Sequence, residues 1–323
     1  MKRIVLFIFA LFITVVVAAQ SVPELDASLA ETPVTIKTLS GVIAGSLVVP
    51  KNVSGKIPVI LIVGDAGYTD RDGNNEKTGV TAYTYKYLAN ELGKSGIASV
   101  RYDKRMVGQS ISSTKEKQLR IEDYNDDAVE LLKMLVDDQR FSKVVLLGHG
   151  EGTLVSLLAL TDQPVQGYIS VEGPGEQGDK VLIDQMKSKP KYQQDEFKTM
   201  LDSLRKGKTT DNIDLALYSV ARPSIQNFIM SICRLVPTKG IKRIKQPVLI
   251  IQGSTDLLVL PFNGDLLKKA KSDAELLVIK NMNHVLKDAP ADEEKNIATY
   301  SQPELPLKPE FVKGVVDFVN KLK

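Results

Sequence analysis

Three places in this chain carry residue types that could do nucleophilic chemistry, and at the first of them the nucleophile is missing. Gly148-His149-Gly150-Glu151-Gly152 has the glycine spacing of a tight strand-to-helix turn. The central residue of such a turn is normally a serine that presents its oxygen for attack. Here that residue is Gly150. Asp256 and His284 follow in the order turn, acid, histidine. An aspartate accepting from one imidazole nitrogen fixes the tautomer and leaves the other nitrogen to take a proton from the attacking group. The pattern is that of attack on a carbonyl carbon, with the base and its orienter present and the attacking oxygen absent.

Physics makes the exchange tolerable. The centre of the turn is strained, by about 1–3 kcal/mol for a residue with a side chain, and glycine reaches positive φ without that cost. A glycine turn in any strand–helix unit, as in nucleotide-binding folds, would read the same at this one site. Asp256 and His284, each placed just after an expected strand, set this chain apart from that reading.

The elements that must position these residues alternate. Lys143–Leu147 reads as a buried strand and Leu154, Leu157, Leu158 and Leu160 recur at helical spacing after the turn. Val34–Thr38 and Gly41–Val49 predict an antiparallel hairpin. Strands are expected at Ile57–Val63, Ile97–Tyr102, Gly167–Val171, Pro247–Ile251 and Glu275–Ile279. Helices are expected near Thr81–Leu92, Ile121–Leu135, Phe262–Ala270 and Glu310–Leu322. Alternation of this kind gives a mostly parallel sheet with helices on both faces. From about Gly173 to Ile244 it gives way to charged helical stretches (Asp179–Lys187, Asp195–Leu204, Ile213–Ala221). That segment is expected to be a helical cap over the C-terminal edge of the sheet, where such folds bind ligands.

Residues 1–20 have a basic start, an apolar run from Ile4 to Val17 and a small-residue end, the form of a secretory leader. The apolar run is short for a span of about 20 residues, so a secreted or periplasmic protein without stable membrane insertion is expected, with a domain over 21–323. Without Lys2 and Arg3 the formal charge of +3 falls to +1, which offers no field to draw nucleic acid. One cysteine rules out an intrachain disulfide, and two histidines with it make a poor zinc set.

Beyond the turn, the chain resembles the α/β-hydrolase superfamily, and within it a bacterial branch of esterase-like and serine-aminopeptidase-like proteins. The likeness is carried by Thr69-Asp70-Arg71-Asp72-Gly73-Asn74-Asn75, Arg101-Tyr102-Asp103-Lys104-Arg105, the glycine turn, Arg222-Pro223-Ser224, Leu249–Gly253 ahead of Asp256, and Met282–Lys287 around His284. It implies the α/β-hydrolase fold, a small acyl ester or peptide-like ligand, and no cofactor or metal. It also implies an oxyanion hole built from the N–H groups of Ala66 and Glu151, and a pocket touched by Asp65, Tyr68, Met106 and Arg222. Three departures cluster there. Gly150 replaces serine, Asp65-Ala66-Gly67-Tyr68 replaces a loop usually free of acid, and Met106 stands where glycine is usual. A carboxylate at Asp65 near the hole would oppose the negative charge that such a hole exists to stabilise.

Three functions are compatible with these residues. One is a hydrolase-fold protein that has lost serine catalysis and binds a ligand. Another is a secreted esterase or peptidase whose serine was replaced by glycine in this chain. The last is a slow enzyme in which His284 activates water directly or Asp65 acts as base, worth about 10²–10⁴-fold from general-base catalysis.

Overall fold

A computed structural model describes residues 22–161 and 163–323. The expected leader lies outside the described residues. Nine strands form one sheet: β1 (Leu29–Thr38), β2 (Gly41–Pro50), β3 (Ile57–Val63), β4 (Ala98–Tyr102), the short β5 (Ile111–Ser112), β6 (Phe141–His149), β7 (Gly167–Val171), β8 (Val248–Gly253) and β9 (Glu275–Ile279). Their order is β1-β2-β4-β3-β6-β7-β8-β9, with β5 paired to β2. The β1–β2 hairpin is antiparallel and joins β4 antiparallel; from β4 to β9 every pairing is parallel.

Parallel strands buried on both faces should be apolar throughout, with alternate residues serving opposite layers. β3 does this. Val59, Leu61 and Val63 join a core layer with Leu131, Leu132 and Leu135 of α2 (Ile121–Asp137) and Leu154 of α3 (Gly152–Ala159). Ile60 and Ile62 join the opposite layer with Leu88 and Leu92 of α1 (Thr84–Lys94) and with Phe311, Val315 and Phe318 of a C-terminal helix (Pro309–Lys321).

Between β7 and β8 the chain runs through α4 (Gly178–Gln185), α5 (Lys191–Arg205), α6 (Tyr218–Ala221), α7 (Gln226–Cys233) and α8 (Pro237–Lys242). These helices share a small core in which Phe197, Met200, Leu201, Leu204, Leu217 and Ile229 are buried. Lys206–Lys208, by contrast, forms an exposed turn with Gly207 at φ 75°. One expected helix is broken. Ile213–Ala221 contains only a 3₁₀ turn at Leu215–Leu217 and the single turn α6. Arg222 precedes Pro223 and is held extended, at φ −51° and ψ 148°, as a pre-proline residue must be. After β8 come α9 (Phe262–Ala270), α10 (Glu293–Ala298) and the C-terminal helix, α11. No helix among the described residues is long and apolar enough to cross a membrane.

Candidate active site

The turn after β6 is built as its glycines require. Gly150 has φ 53°, and its N–H donates to Val171 O at 3.0 Å. Gly152 lies so close to β3 that a Cβ there would stand 2.3 Å from Val63 O. His149 is buried beside the turn, with Nδ1 taking the Tyr85 hydroxyl proton at 2.8 Å and Nε2 donating to His284 O at 2.9 Å. That assignment follows because His284 O is a carbonyl and can only accept, so Nε2 carries the proton and Nδ1 is left to accept from the Tyr85 hydroxyl, whose oxygen in turn accepts from Asp65 N at 2.7 Å. Burial, and then the nearby His284 charge, push His149 down to about 4, so it stays neutral and serves as a strut.

Asp256 and His284 meet as expected. His284 Nδ1 donates to Asp256 Oδ2 at 2.8 Å, and Asp256 Oδ1 accepts from Leu258 N at 2.7 Å and Val259 N at 3.0 Å. The other imidazole nitrogen is where a serine oxygen would be sought, and it meets Asp65 instead: Nε2 donates to Asp65 Oδ2 at 3.0 Å. Asp65 Oδ1 accepts from Glu151 N at 2.9 Å. A Cβ built on Gly150 would fall 1.9 Å from Asp65 Oδ1 and 2.6 Å from its carboxyl carbon. The sequence placed Asp65 near the hole, as a charge that would repel an oxyanion. In the structure it goes further: it overlaps the volume of a side chain at position 150 and takes the Glu151 N–H.

An imidazole that donates from both nitrogens is an imidazolium. Burial opposes that charge, but Asp256 and then Asp65 outweigh it and hold His284 well above the ordinary histidine range. Burial would likewise raise Asp65, yet His284 holds it well below the usual carboxylate range. A histidine in this state has no free lone pair with which to deprotonate a nucleophile.

Several supporting groups were not legible in the sequence. Glu172, wholly buried at φ 47°, accepts from Gly253 N at 2.8 Å and from the Gln252 amide behind Asp256. Burial, and then Asp256, raise it far above the normal carboxylate range. The Lys104 ammonium donates to the Asp65 carbonyl. The family-like motifs turn out to be scaffolding for the same loop. Asp70 Oδ1 accepts from Asp72 N at 2.8 Å and Asn74 N at 2.9 Å, while Asp103 accepts from Arg71 N at 2.8 Å and Arg71 Nη2 at 2.7 Å. Arg105 is locked to Asp127 at 2.7 and 2.9 Å.

The remaining expected residues divide. Ala66 is exposed, with its carbonyl accepting from Thr69 Oγ1 at 2.7 Å. Tyr68, Met106 and Arg222 do come together, around a cavity of about 70 Å³ that also touches Glu151, Leu119 and Phe228. That is roughly half the ~150 Å³ known to admit a benzene ring. Arg222 and the Tyr68 hydroxyl both bind Glu116, the latter at 2.6 Å. Met106 has φ 65°, which explains why glycine is usual there.

Glu151 joins the two regions, its N–H donating to Asp65 and the residue lining the cavity. Burial pushes its carboxyl up to about 7, against the pull of Lys104 and with help from Asp65. A carboxyl raised from 4.5 binds its proton more tightly when folded, so its contribution to stability is complete below pH 4.5 and is lost as pH rises through about 7. Glu151→Gln is therefore expected to melt higher than the parent above pH 7 and to lose that advantage below pH 4.5, as thermal melts across that range would reveal.

Comparison with known proteins agrees with this architecture. Residues 78–203 match a family described as serine aminopeptidase, S33. Esterase EstD of Thermotoga maritima is 25% identical over 261 residues, covering 77% of this chain and 59% of that protein. The chain thus spans less than two thirds of that relative's length. Among solved structures, Est1E from Butyrivibrio proteoclasticus with bound ferulic acid superposes with a TM-score of 0.58 at 15% identity, covering 87% of this chain and 99% of its own. The Pyrococcus furiosus esterase Pf2001 gives 0.58 at 17% identity, covering 91% and 92%. The chain has the α/β-hydrolase fold, and its sequence is similar to that of an esterase and, over residues 78–203, to the serine aminopeptidase, S33, family.

Proposed function

We propose that this protein has lost serine acyl transfer and retains its pocket as a binding site for a small acyl-ester or peptide-like ligand, acting outside the cytoplasm after removal of the leader at 1–20. One observation carries the reading. The Asp65 carboxylate stands where the serine side chain would be, bonded at once to the Glu151 amide and to His284. A substrate carbonyl oxygen would have to displace an anion from the only hole donor contributed by the turn. Even then no hydroxyl would be there to attack.

The intact Asp256–His284 contact is what favours the alternative, an ordinary secreted esterase or peptidase whose serine alone was replaced. A simple replacement leaves the Asp65 contacts unaccounted for. The third sequence reading, His284 as a direct base for water, is opposed by its two carboxylate partners.

A fluorophosphonate probe tests the proposal, because it reports any activated serine. The expected result is no labelling. Ser156 lies buried in α3 with its hydroxyl given to Gly152 O at 2.7 Å, and Ser254 Oγ accepts from Asn281 N at 2.9 Å, so neither meets the histidine. Stoichiometric labelling of any serine would overturn the reading.

A further inference from the structure

We infer that the cavity beside Glu151 takes a small organic cation, a primary alkylammonium, whose charged end bonds to the Glu151 carboxylate and whose carbon chain lies against Tyr124, Phe228, Leu119 and Met106. The inference rests on the reading of this pocket as a binding site, proposed above, and it fixes the charge of the ligand. Three observations lead to it.

The first is a charge without a partner. Arg105, Glu116, Glu151 and Arg222 are the arginines and carboxylates that line the cavity. Three of them are committed: Arg105 to Asp127 and Asp123, and Glu116 to Arg222. Glu151 is not. Its carboxyl oxygens accept no hydrogen bond from the described residues, no cationic side chain among these comes within 4.0 Å of them, and packing does not seal them off. The second is place. Glu151 and Tyr124 both line the cavity, and after burial the Glu151 charge does most to raise the Tyr124 phenol. The carboxylate is therefore close to the aromatic wall. The third is the wall itself. The Tyr124 and Phe228 rings meet edge to face with centroids 5.5 Å apart, and Leu119 and Met106 line the same space. Aromatic faces attract cations, and aliphatic carbon gains by being buried among them.

The alternatives fit less well. An anion is repelled by Glu151, and a neutral ligand leaves its charge unanswered. A metal ion such as calcium takes about six to eight oxygens, and here the Tyr68 hydroxyl and Glu116 are already bonded to each other. An ammonium brings positive charge and donors and has no acceptor to satisfy. Glu151 must be ionised to receive it, and burial keeps its proton on up to about 7. Glu116 is held down at about 2, while Arg105, Arg222 and Tyr124 are raised from values already alkaline, so none of these four changes state between pH 5 and 8. The other charges acting on Glu151 oppose each other. Asp65 stays ionised, and Lys104, which burial lowers from 10.5, gives its ammonium to the Asp65 carbonyl. Capture therefore strengthens as pH rises through 7. A site that is competent about 1% of the time at pH 5 binds about a hundredfold more weakly there than at pH 8.

The test is calorimetric titration of the full chain from pH 5 to pH 8 with n-butylamine, and with n-butanol as a neutral probe of the same chain length. n-Butylamine should bind about a hundredfold more tightly at pH 8 than at pH 5. At pH 6 its binding should release close to one proton, read from buffers of different ionisation heat. n-Butanol should bind more weakly than the amine at pH 8 and show no such trend. Glu151→Gln should lose both the preference for the amine and its pH dependence. In the parent, NMR contacts from the butyl chain to the Tyr124 and Phe228 rings should place the amine in the cavity, so the parent decides the matter even if the variant misfolds. Equal binding of the two probes at pH 8, an amine affinity indifferent to pH, undiminished binding by a folded Glu151→Gln, or no binding of the amine at any pH would each overturn the inference. A serine labelled by the fluorophosphonate would instead defeat the loss of serine chemistry, which no amine titration reports.

Discussion

Gly150→Ser on its own is expected to leave the protein without useful esterase activity, and to make it less stable. The new Cβ would lie 1.9 Å from Asp65 Oδ1, so the carboxylate must swing away and give up its bonds to Glu151 N and His284 Nε2. The serine would also sit at φ 53°, a strain of about 1–3 kcal/mol that glycine avoids. Even a displaced Asp65 keeps a negative charge beside the developing oxyanion. Losing one such stabilising contribution costs about 10²–10³ in rate. Gly150→Ser combined with Asp65→Gly removes both obstacles and returns His284 to a single carboxylate partner, Asp256. The double variant should exceed the single one by at least that factor in hydrolysis of short acyl esters. Comparable activity in the two would show that Asp65 is no obstacle.

Asp256→Asn is expected to carry the largest stability cost of any single change at the site. His284 is buried between two carboxylates, and Asp256 is the fully covered one. Removing one member of a buried ion pair typically costs about 3–5 kcal/mol, a fall in melting temperature on the order of 10 °C for a chain of this size. The pH dependence gives the effect its signature. His284 is raised above 6.5, so its contribution is complete below that pH and is lost as pH climbs through its higher folded value. Asp256 is lowered below 3.8, so its contribution is present above that pH and fades in stronger acid. The parent's advantage should therefore be greatest between those two pH values and shrink toward alkaline pH. Thermal melts of the two proteins from pH 4 to alkaline conditions measure it, and a constant difference would mean that Asp256 acts through packing alone.

Much of the fold could be read because it rests on local pattern. Strands such as Gly167–Val171 and Glu275–Ile279, and the helix Phe262–Ala270, fall where apolar runs and periodicity put them. The helices α7, α8 and α10 escaped because each is short. In hindsight α10 carries a signal in Asp292, whose side chain accepts from Lys295 N at 3.0 Å, and α8 opens on Pro237. At the site, Gly150, Asp256 and His284 were legible because turn chemistry and chain order mark them. The position of Asp65 was not. It lies 86 residues from Glu151 and 219 from His284, and only the folded loop decides which oxygen faces which donor. Glu172 was hidden for a similar reason, since nothing in its neighbours announces a carboxyl buried behind Asp256.

The central claim is that Asp65 takes the nucleophile's place and holds His284 as an imidazolium. With only two histidines in the chain, their ring protons and nitrogens can be assigned and followed by NMR across pH. The account predicts that His284 stays doubly protonated well above the usual histidine range while His149 remains neutral down to about pH 4. It also predicts that Asp65→Asn moves the His284 titration downward and leaves His149 as the Tyr85-bound strut. A His284 that titrates near 6.5 and does not respond to Asp65→Asn would contradict it.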